Sequence, residues 1–343
     1  MKNLLKVTEN NYEQVYFDSY KSKISGWFFE SKKNYESVII LFHGTGSQKD
    51  FGLNIIAKNL SNNGISALIF DYRGFGDSEN IKGYPKRYLS AKHQIEDILS
   101  AVKFIRHNKK IKKIGLFGES MSAALAMMAA KDLESKKKPI QAVYSQSPAC
   151  FEFPKWPFAF KKFIYKSIFL DLLFRNKSIK IYQTSPKDVK CYLPDSFCFW
   201  PIIPDKTLGS WNNKIPARSI FNIAVLVLSG KIKRNLRKIK TPILISQGSL
   251  DRFLGSSFKS IDKMFNNNKN VNVEIYRYKG EHISALPMVN KKQYEVDKKK
   301  YEHKSNTYYP EIYKDLFPVY LKFFKKHLTY KNISYEFRKK VFN

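Results

Sequence analysis

Two kinds of apolar patterning alternate along the chain. SVIILFHG (37–44) and ISALIFDYRG (65–74) are continuous apolar runs, as expected of strands buried on both faces of a parallel sheet. In AKHQIEDILSAVKFIRHN (91–108) the apolar residues Ile95, Ile98, Leu99, Val102 and Ile105 recur at helical spacing. FGLNIIAKNLSNNG (51–64) reads as a helix closed by Gly64, and EQVYFDS (13–19) and KISGWFFES (23–31) as two strands joined by a turn. KKIGLFGES (112–120) is strand-like, SAALAMMAAKDLES (122–135) a strong helix former, and QAVYSQSP (141–148) a strand. The alternation lapses over 149–240. It resumes with a strand in TPILISQGSLD (241–251), a helix in SSFKSIDKMFNN (256–267), a strand in NVEIYRYKG (272–280) and a closing helix near 309–328. Strands and helices in this order predict a mostly parallel sheet with helices on both faces. Ligands of such sheets bind at the carboxyl ends of the strands.

The segment 149–240 differs in composition. It carries Trp156, Trp200 and Trp211 and the aromatic-basic run FEFPKWPFAFKKFIYKSIFLDLLF. An insertion of this length inside an alternating fold is expected to cover the strand ends as a cap. Within it, FAFKKFIYKSIFLDLLF (158–174) has Phe160, Phe163, Ile164, Ile168, Leu172 and Leu173 largely along one helical face, with Lys161, Lys162 and Lys166 nearer the other. Basic amphipathic helices of this kind lie in membrane interfaces, and the plainer alternative is packing on the core.

Composition narrows the class. Hydrophobic residues are 43% of the chain, enough for a sizeable core. Cys150, Cys191 and Cys198 are too few and odd in number for a disulfide framework, which favours a reducing compartment. The six histidines are scattered, with none at metal-ligand spacing. The N-terminus lacks the apolar stretch of a signal peptide, and the longest apolar run, IFNIAVLVL (220–228), is too short to span a bilayer. A cytoplasmic protein, peripheral to membrane at most, is expected. The net charge of +32 points to an anionic partner or to a Lys-rich compositional background. An anionic membrane surface is the partner carried forward. Nucleic acid is not expected, since no binding signature accompanies the charge.

The chemistry gathers at strand ends. Gly118-Glu119-Ser120-Met121-Ser122 joins an apolar strand to an alanine-rich helix, the setting of a nucleophile elbow. A serine nucleophile needs a histidine base oriented by a carboxylate. Asp251 in QGSLD and His282 in GEHIS follow later strands in the required chain order. Each has an ordinary alternative: a cap serine, a helix N-cap aspartate, a surface histidine. The Gly-rich loop His43-Gly44-Thr45-Gly46 follows the first buried strand, where backbone N–H groups of Thr45 and Met121 could face a developing oxyanion. His43 reads as a brace for that loop, and DYRGFGDSE (71–79) as scaffold.

Together HGTG, DYRGFGDSE, GESMS, QGSLD and GEH resemble the α/β-hydrolase superfamily, most closely its monoacylglycerol-lipase and serine-aminopeptidase-like branch. The resemblance spans 1–148 and 236–343, and 149–240 sits where that superfamily inserts its lid. It implies an α/β-hydrolase fold: a mostly parallel eight-stranded sheet with helices on both faces and an inserted cap. The implied organisation is a first core part (1–148), a cap (149–240) and a second core part (241–343). Carried over by resemblance, Ser120 is the nucleophile, Asp251 the acid, His282 the base, and Thr45 and Met121 the oxyanion donors, with no metal or organic cofactor. Ser122 departs from the usual glycine, and Arg252-Phe253 is an unusual pair after the acid. The implied function is hydrolysis of a carboxylic ester of a lipid-like or acyl substrate. A thioesterase or acyltransferase would share the site, and a catalytically silent binding protein is the alternative from another class. Oligomeric state is left open.

Overall fold

A computed structural model describes residues 12–33, 36–148, 158–174, 177–181, 202–209, 211–251, 272–280 and 312–328, with further positions at 261–262, 265, 282, 285–287 and 289. Side chains at 158–160 and 163–164 lie outside the description, as do the three cysteines and Arg252-Phe253.

Eight strands form the main sheet: β1 (Glu13–Ser19), β2 (Ser22–Phe29), β3 (Ser37–Phe42), β4 (Ser66–Phe70), β5 (Lys113–Glu119), β6 (Ala142–Gln146), β9 (Ile243–Gly248) and β10 (Val273–Tyr278). A ribbon of β7 (Ser178–Lys180) and β8 (Lys214–Pro216) stands apart. The sheet order is β1-β2-β4-β3-β5-β6-β9-β10. From β4 to β10 every pairing is parallel, and only β1–β2 and β2–β4 are antiparallel. The chain alternation thus gives the expected mostly parallel sheet, with an antiparallel margin made by the hairpin of β1 and β2.

The helices are α1 (Leu53–Asn62), α2 (Ala91–Asn108), α3 (Met121–Ser135), α4 (Phe158–Leu173), α5 (Ala217–Leu228), α6 (Lys231–Leu236) and α7 (Ile312–Leu328). They cover both faces. Asn59 of α1 donates to the Tyr313 hydroxyl of α7, so these two share one face. α3 lies on the other, where Gly118 meets its first turn. Strands β3 to β6 are buried along nearly their whole length, which is why they read as unbroken apolar runs rather than alternating ones.

One close approach sets the spacing of α7 against the sheet. A Cβ at Gly115 in β5 would stand 2.7 Å from the Phe324 ring of α7. The absent side chain lets a fully buried phenylalanine approach the sheet closely. Tyr144 meets its ring edge-on, and Phe117, Tyr144 and Tyr320 pack against one another beside it.

Between β6 and β9 the described residues form α4, the β7–β8 ribbon, α5 and α6, and they join the core through buried apolar side chains such as Ile215, Ile220, Ala224 and Leu236 and through hydrogen bonds. Asn222 of α5 donates to the Leu89 carbonyl, the Ser219 hydroxyl accepts the Leu89 N–H, and the Trp211 indole donates to the Gly46 carbonyl. The single-faced apolar stripe expected for 158–174 is not what α4 presents. Ile168 and Leu170 pack inward, while Tyr165, Phe169, Leu172 and Leu173 are exposed beside Lys162 and Lys166. The helix has apolar residues on both sides, so packing one of them leaves the other uncovered.

Phe324→Ala is expected to lower the unfolding free energy by about 3–5 kcal/mol, since it removes a whole ring from a site that Gly115 cannot refill. Urea titration measures it; a change below about 1 kcal/mol would mean that α7 does not anchor the sheet.

Candidate active site

β5 ends at Glu119 and α3 begins at Met121, so Ser120 alone reverses the chain, with φ 54° and ψ −119°. A side-chain-bearing residue in that region costs on the order of 1–3 kcal/mol and persists only where its surroundings enforce it. Here the surroundings are visible. The Ser120 N–H donates to the Gln146 carbonyl at 2.9 Å. At Gly118 a Cβ would fall 2.2 Å from the Ser122 carbonyl oxygen, so the strand and the first turn of α3 touch where any side chain would stand. This is the physical demand behind the small residue two before the serine.

Ser122, two residues after, is not merely tolerated. Its hydroxyl donates to the His43 carbonyl at 2.6 Å and therefore accepts from the Tyr72 hydroxyl at 3.0 Å. Burial raises the Tyr72 pKa well above its usual value, consistent with a neutral phenol acting as donor. A glycine in this place could not tie the elbow to the ends of β3 and β4.

The remaining expected residues come to the same strand ends. Asp251 follows β9 and His282 follows β10, and both are buried. Their loops are cross-linked by the Leu250 N–H donating to the Gly280 carbonyl at 3.0 Å. His282 Nδ1 lies 2.7 Å from Asp251 Oδ2, and its Nε2 lies 2.7 Å from Ser120 Oγ. The carboxylate can only accept, so Nδ1 carries the proton and Nε2 is free to accept from the serine hydroxyl. Asp262, another carboxylate in this part of the chain, is instead paired with Arg277.

The loop after β3 arrives beside the serine. A Cβ at Gly44 would lie 3.2 Å from the Ser120 Cβ. Thr45, half-exposed, follows it, and Met121 opens α3 on the other side of Ser120. His43 is fully buried and acts as the brace expected. Its Nδ1 faces the Gly44 carbonyl at 3.0 Å and its Nε2 faces the Tyr72 N–H at 3.4 Å. One partner only accepts and the other only donates, which fixes a neutral imidazole protonated at Nδ1. Burial lowers the His43 pKa in the same sense. Farther along, the fully buried Lys49 ammonium pairs with Asp71 at 2.5 Å, and Asp71 also accepts the Lys49 N–H at 2.8 Å.

Two participants are not singled out by the sequence pattern. Tyr72 is one. Glu119 is the other: buried, one residue before the serine, it accepts the Gly44 N–H through Oε1 at 2.8 Å. Its second oxygen is buried with no hydrogen-bond partner. Burial pushes its pKa up to about 7, against the opposing effects of the Gly44 N–H and the His282 charge. The available signal was a carboxylate closing an otherwise apolar strand. Among the described residues no cluster of His, Cys, Asp and Glu is suited to a metal.

A parallel sheet of this order, with a serine elbow and a histidine and an aspartate at later strand ends, defines the α/β-hydrolase class. The family model of the serine aminopeptidases S33 matches residues 33–210, and the chain belongs to that family. It is 34% identical over 125 residues to the thiohydrolase aneE of Aspergillus aculeatus, an alignment covering 36% of this chain and 38% of that protein. It is 31% identical over 137 residues to the quorum-quenching protein AidA of Acinetobacter baumannii, covering 39% of this chain and 43% of the relative. The chain thus matches less than half the length of these curated relatives. Its fold is shared with a soluble variant of the monoglyceride lipase of Saccharomyces cerevisiae in complex with a substrate analogue, at a TM-score of 0.66 and 16% identity over 95% of this chain and 98% of that one.

Two expectations test the site's physics. Ser122→Ala strands the buried Tyr72 hydroxyl and should cost about 1–3 kcal/mol of stability in a denaturant titration; an unchanged midpoint and slope would contradict the network. Glu119 titrates near 7 when folded and near 4.5 when unfolded. Between those values the folded state binds the extra proton, so stability from this group is fully present below about pH 4.5 and is lost as pH rises through about 7. The loss is on the order of 3 kcal/mol. In Glu119→Gln the fall in unfolding free energy between pH 5 and 8 should be smaller by most of that amount; equal slopes for both proteins would refute it.

Proposed function

We propose that the protein is a serine hydrolase that cleaves a carboxylic ester of a lipid-like or acyl substrate through an acyl-enzyme. The observation that carries this reading is the continuous hydrogen-bonded line from Asp251 through His282 to Ser120, 2.7 Å at each link. In this reading His282 Nε2 takes the hydroxyl proton as Ser120 Oγ attacks the acyl carbonyl, and Asp251 holds the imidazole tautomer and stabilises its charged form. The Thr45 and Met121 N–H groups receive the oxyanion, helped by the positive N-terminal end of α3. His282 returns the proton to the leaving alcohol, then activates water to release the acid. The segment 149–240 serves as the cap, a role supported by the contacts of Trp211 and α5 with the loops at the strand ends. A thioester is the second reading, favoured by the likeness to a protein named as a thiohydrolase.

The partner surface in this proposal is an anionic bilayer. No helix among the described residues is long and apolar enough to cross a membrane. Yet α4 and α5 expose Phe169, Leu172 (79% exposed), Leu173, Val225 and Leu228, and the same two helices carry the exposed Lys162, Lys166 and Arg218, the last paired with Asp171. An apolar crest flanked by cations suits insertion into the headgroup region, where each basic residue near the surface contributes roughly 1 kcal/mol that fades with salt.

Ser120→Ala should lower hydrolysis of a responsive substrate, from a panel of p-nitrophenyl, glyceride and acyl-CoA esters, by at least about a thousandfold with the fold intact. Asp251→Asn should fall far more than Asp262→Asn. Wild-type turnover by Ser120→Ala would end the reading, and the best substrate class separates ester from thioester. Co-sedimentation should show the wild type on anionic vesicles at low salt, with binding reduced by high salt, by Lys161/Lys162/Lys166→Glu and by Phe169/Leu172→Ser. Equal binding to neutral and anionic vesicles would contradict the membrane assignment.

A further inference from the structure

We propose that Glu119 is a positioning residue for the oxyanion loop: its carboxyl group fixes Gly44 so that the following N–H, that of Thr45, stays turned toward Ser120. The inference rests on the serine-hydrolase reading above.

Register brings the two segments together. Phe42 pairs with Gly118 across β3 and β5, so Gly44, two residues farther, comes level with Ser120. Gly44 has no Cβ, and the space a Cβ would take lies 3.2 Å from both Glu119 Oε1 and Ser120 Cβ. That absence allows the approach but also leaves Gly44 without the torsional restraint that a side chain gives. Its two polar groups supply the restraint. The Gly44 N–H donates to Glu119 Oε1 at 2.8 Å, and its carbonyl accepts from His43 Nδ1 at 3.0 Å and from the Ser47 N–H at 3.4 Å. Across a planar trans peptide the carbonyl and the next N–H point in opposite directions. A Gly44 carbonyl turned to His43 therefore turns the Thr45 N–H the other way. The His43 contacts hold one end of this residue, and Glu119 alone among the described side chains holds the other.

Glu119 is suited to this and to little else. Its Oε2 is buried and unpartnered, so one hydrogen bond is all that the carboxyl group makes in return for its desolvation. It makes no hydrogen bond to Ser120, His282 or Asp251. The residue needs only an acceptor atom at this place, which leads to a rescue test. Glutamine keeps a carbonyl oxygen within reach of the Gly44 N–H; leucine fills the same space without one.

The experiment measures kcat, KM and the affinity of a phenylboronic acid, which forms a tetrahedral anionic adduct on an active serine, for the wild type, Glu119→Gln, Glu119→Leu and Glu119→Ala, together with the melting temperature of each. The expected result is a fall of about ten- to a hundredfold in kcat/KM for Glu119→Leu, matched by an equal loss of boronate affinity, with KM within about threefold; removal of one oxyanion donor outright costs more. Glu119→Gln should stay within about threefold of the wild type in all three quantities. Glu119→Ala provides a second loss variant if leucine does not fit. Retention of wild-type kcat/KM and boronate affinity by the folded loss variants would overturn the proposal. So would a glutamine variant as impaired as leucine. A wild type that neither hydrolyses esters nor binds the boronate would overturn the serine-hydrolase reading itself, an outcome distinct from either.

Discussion

The structure turns on one strained residue. Ser120 occupies a backbone region that a side chain ordinarily avoids, and its neighbours hold it there. Gly118 backs against the carbonyl of Ser122, the Ser120 N–H is tied to β6, and the Ser122 hydroxyl is tied to the end of β3. The reversal lifts the hydroxyl above the carboxyl edge of the sheet. Every other site residue is placed by the same edge, because parallel strands deliver their following loops to one side. The small residues of the elbow follow from that requirement, and the strand order brings the loops of Asp251 and His282 to the same edge.

The polar groups under the site form a connected set rather than isolated pairs. His43 is neutral and spans the Gly44 carbonyl and the Tyr72 N–H; Tyr72 reaches Ser122; Glu119 reaches Gly44. Such networks are stabilising when complete and costly when one member is lost. The unpartnered Glu119 oxygen and the fully buried Lys49–Asp71 pair show where stability is given up locally. Both lie against the loop that borders the serine, which concentrates the cost next to the proposed oxyanion site.

Much of the core fold was legible because buried parallel strands must be continuously apolar and their covering helices must be amphipathic. Val38–Phe42 and Ile95–Ile105 declare themselves on those grounds. Ser120, Asp251 and His282 stood out since few residue types perform this chemistry and each follows a strand. Glu119, Tyr72 and the use made of Ser122 were not legible. Their partners, Gly44 and His43, are more than seventy residues away from Glu119 and Ser122 in the chain, and no local pattern encodes such a contact. The α4 helix failed differently. Its lysines suggested a polar side, but Phe169 and Leu172 remain outside because the inner side is already filled by Ile168 and Leu170. A period of apolar residues reports helix formation, not which side finds a partner.

The central claim is that folding, not composition, makes one of the chain's many serines nucleophilic. Reaction with a fluorophosphonate followed by peptide mapping tests it most directly. The expected result is a single adduct on Ser120 in the folded protein, formed slowly or not at all after His282→Gln and absent once the chain is unfolded in urea. An adduct on another serine, or equal labelling of folded and unfolded chains, would contradict it.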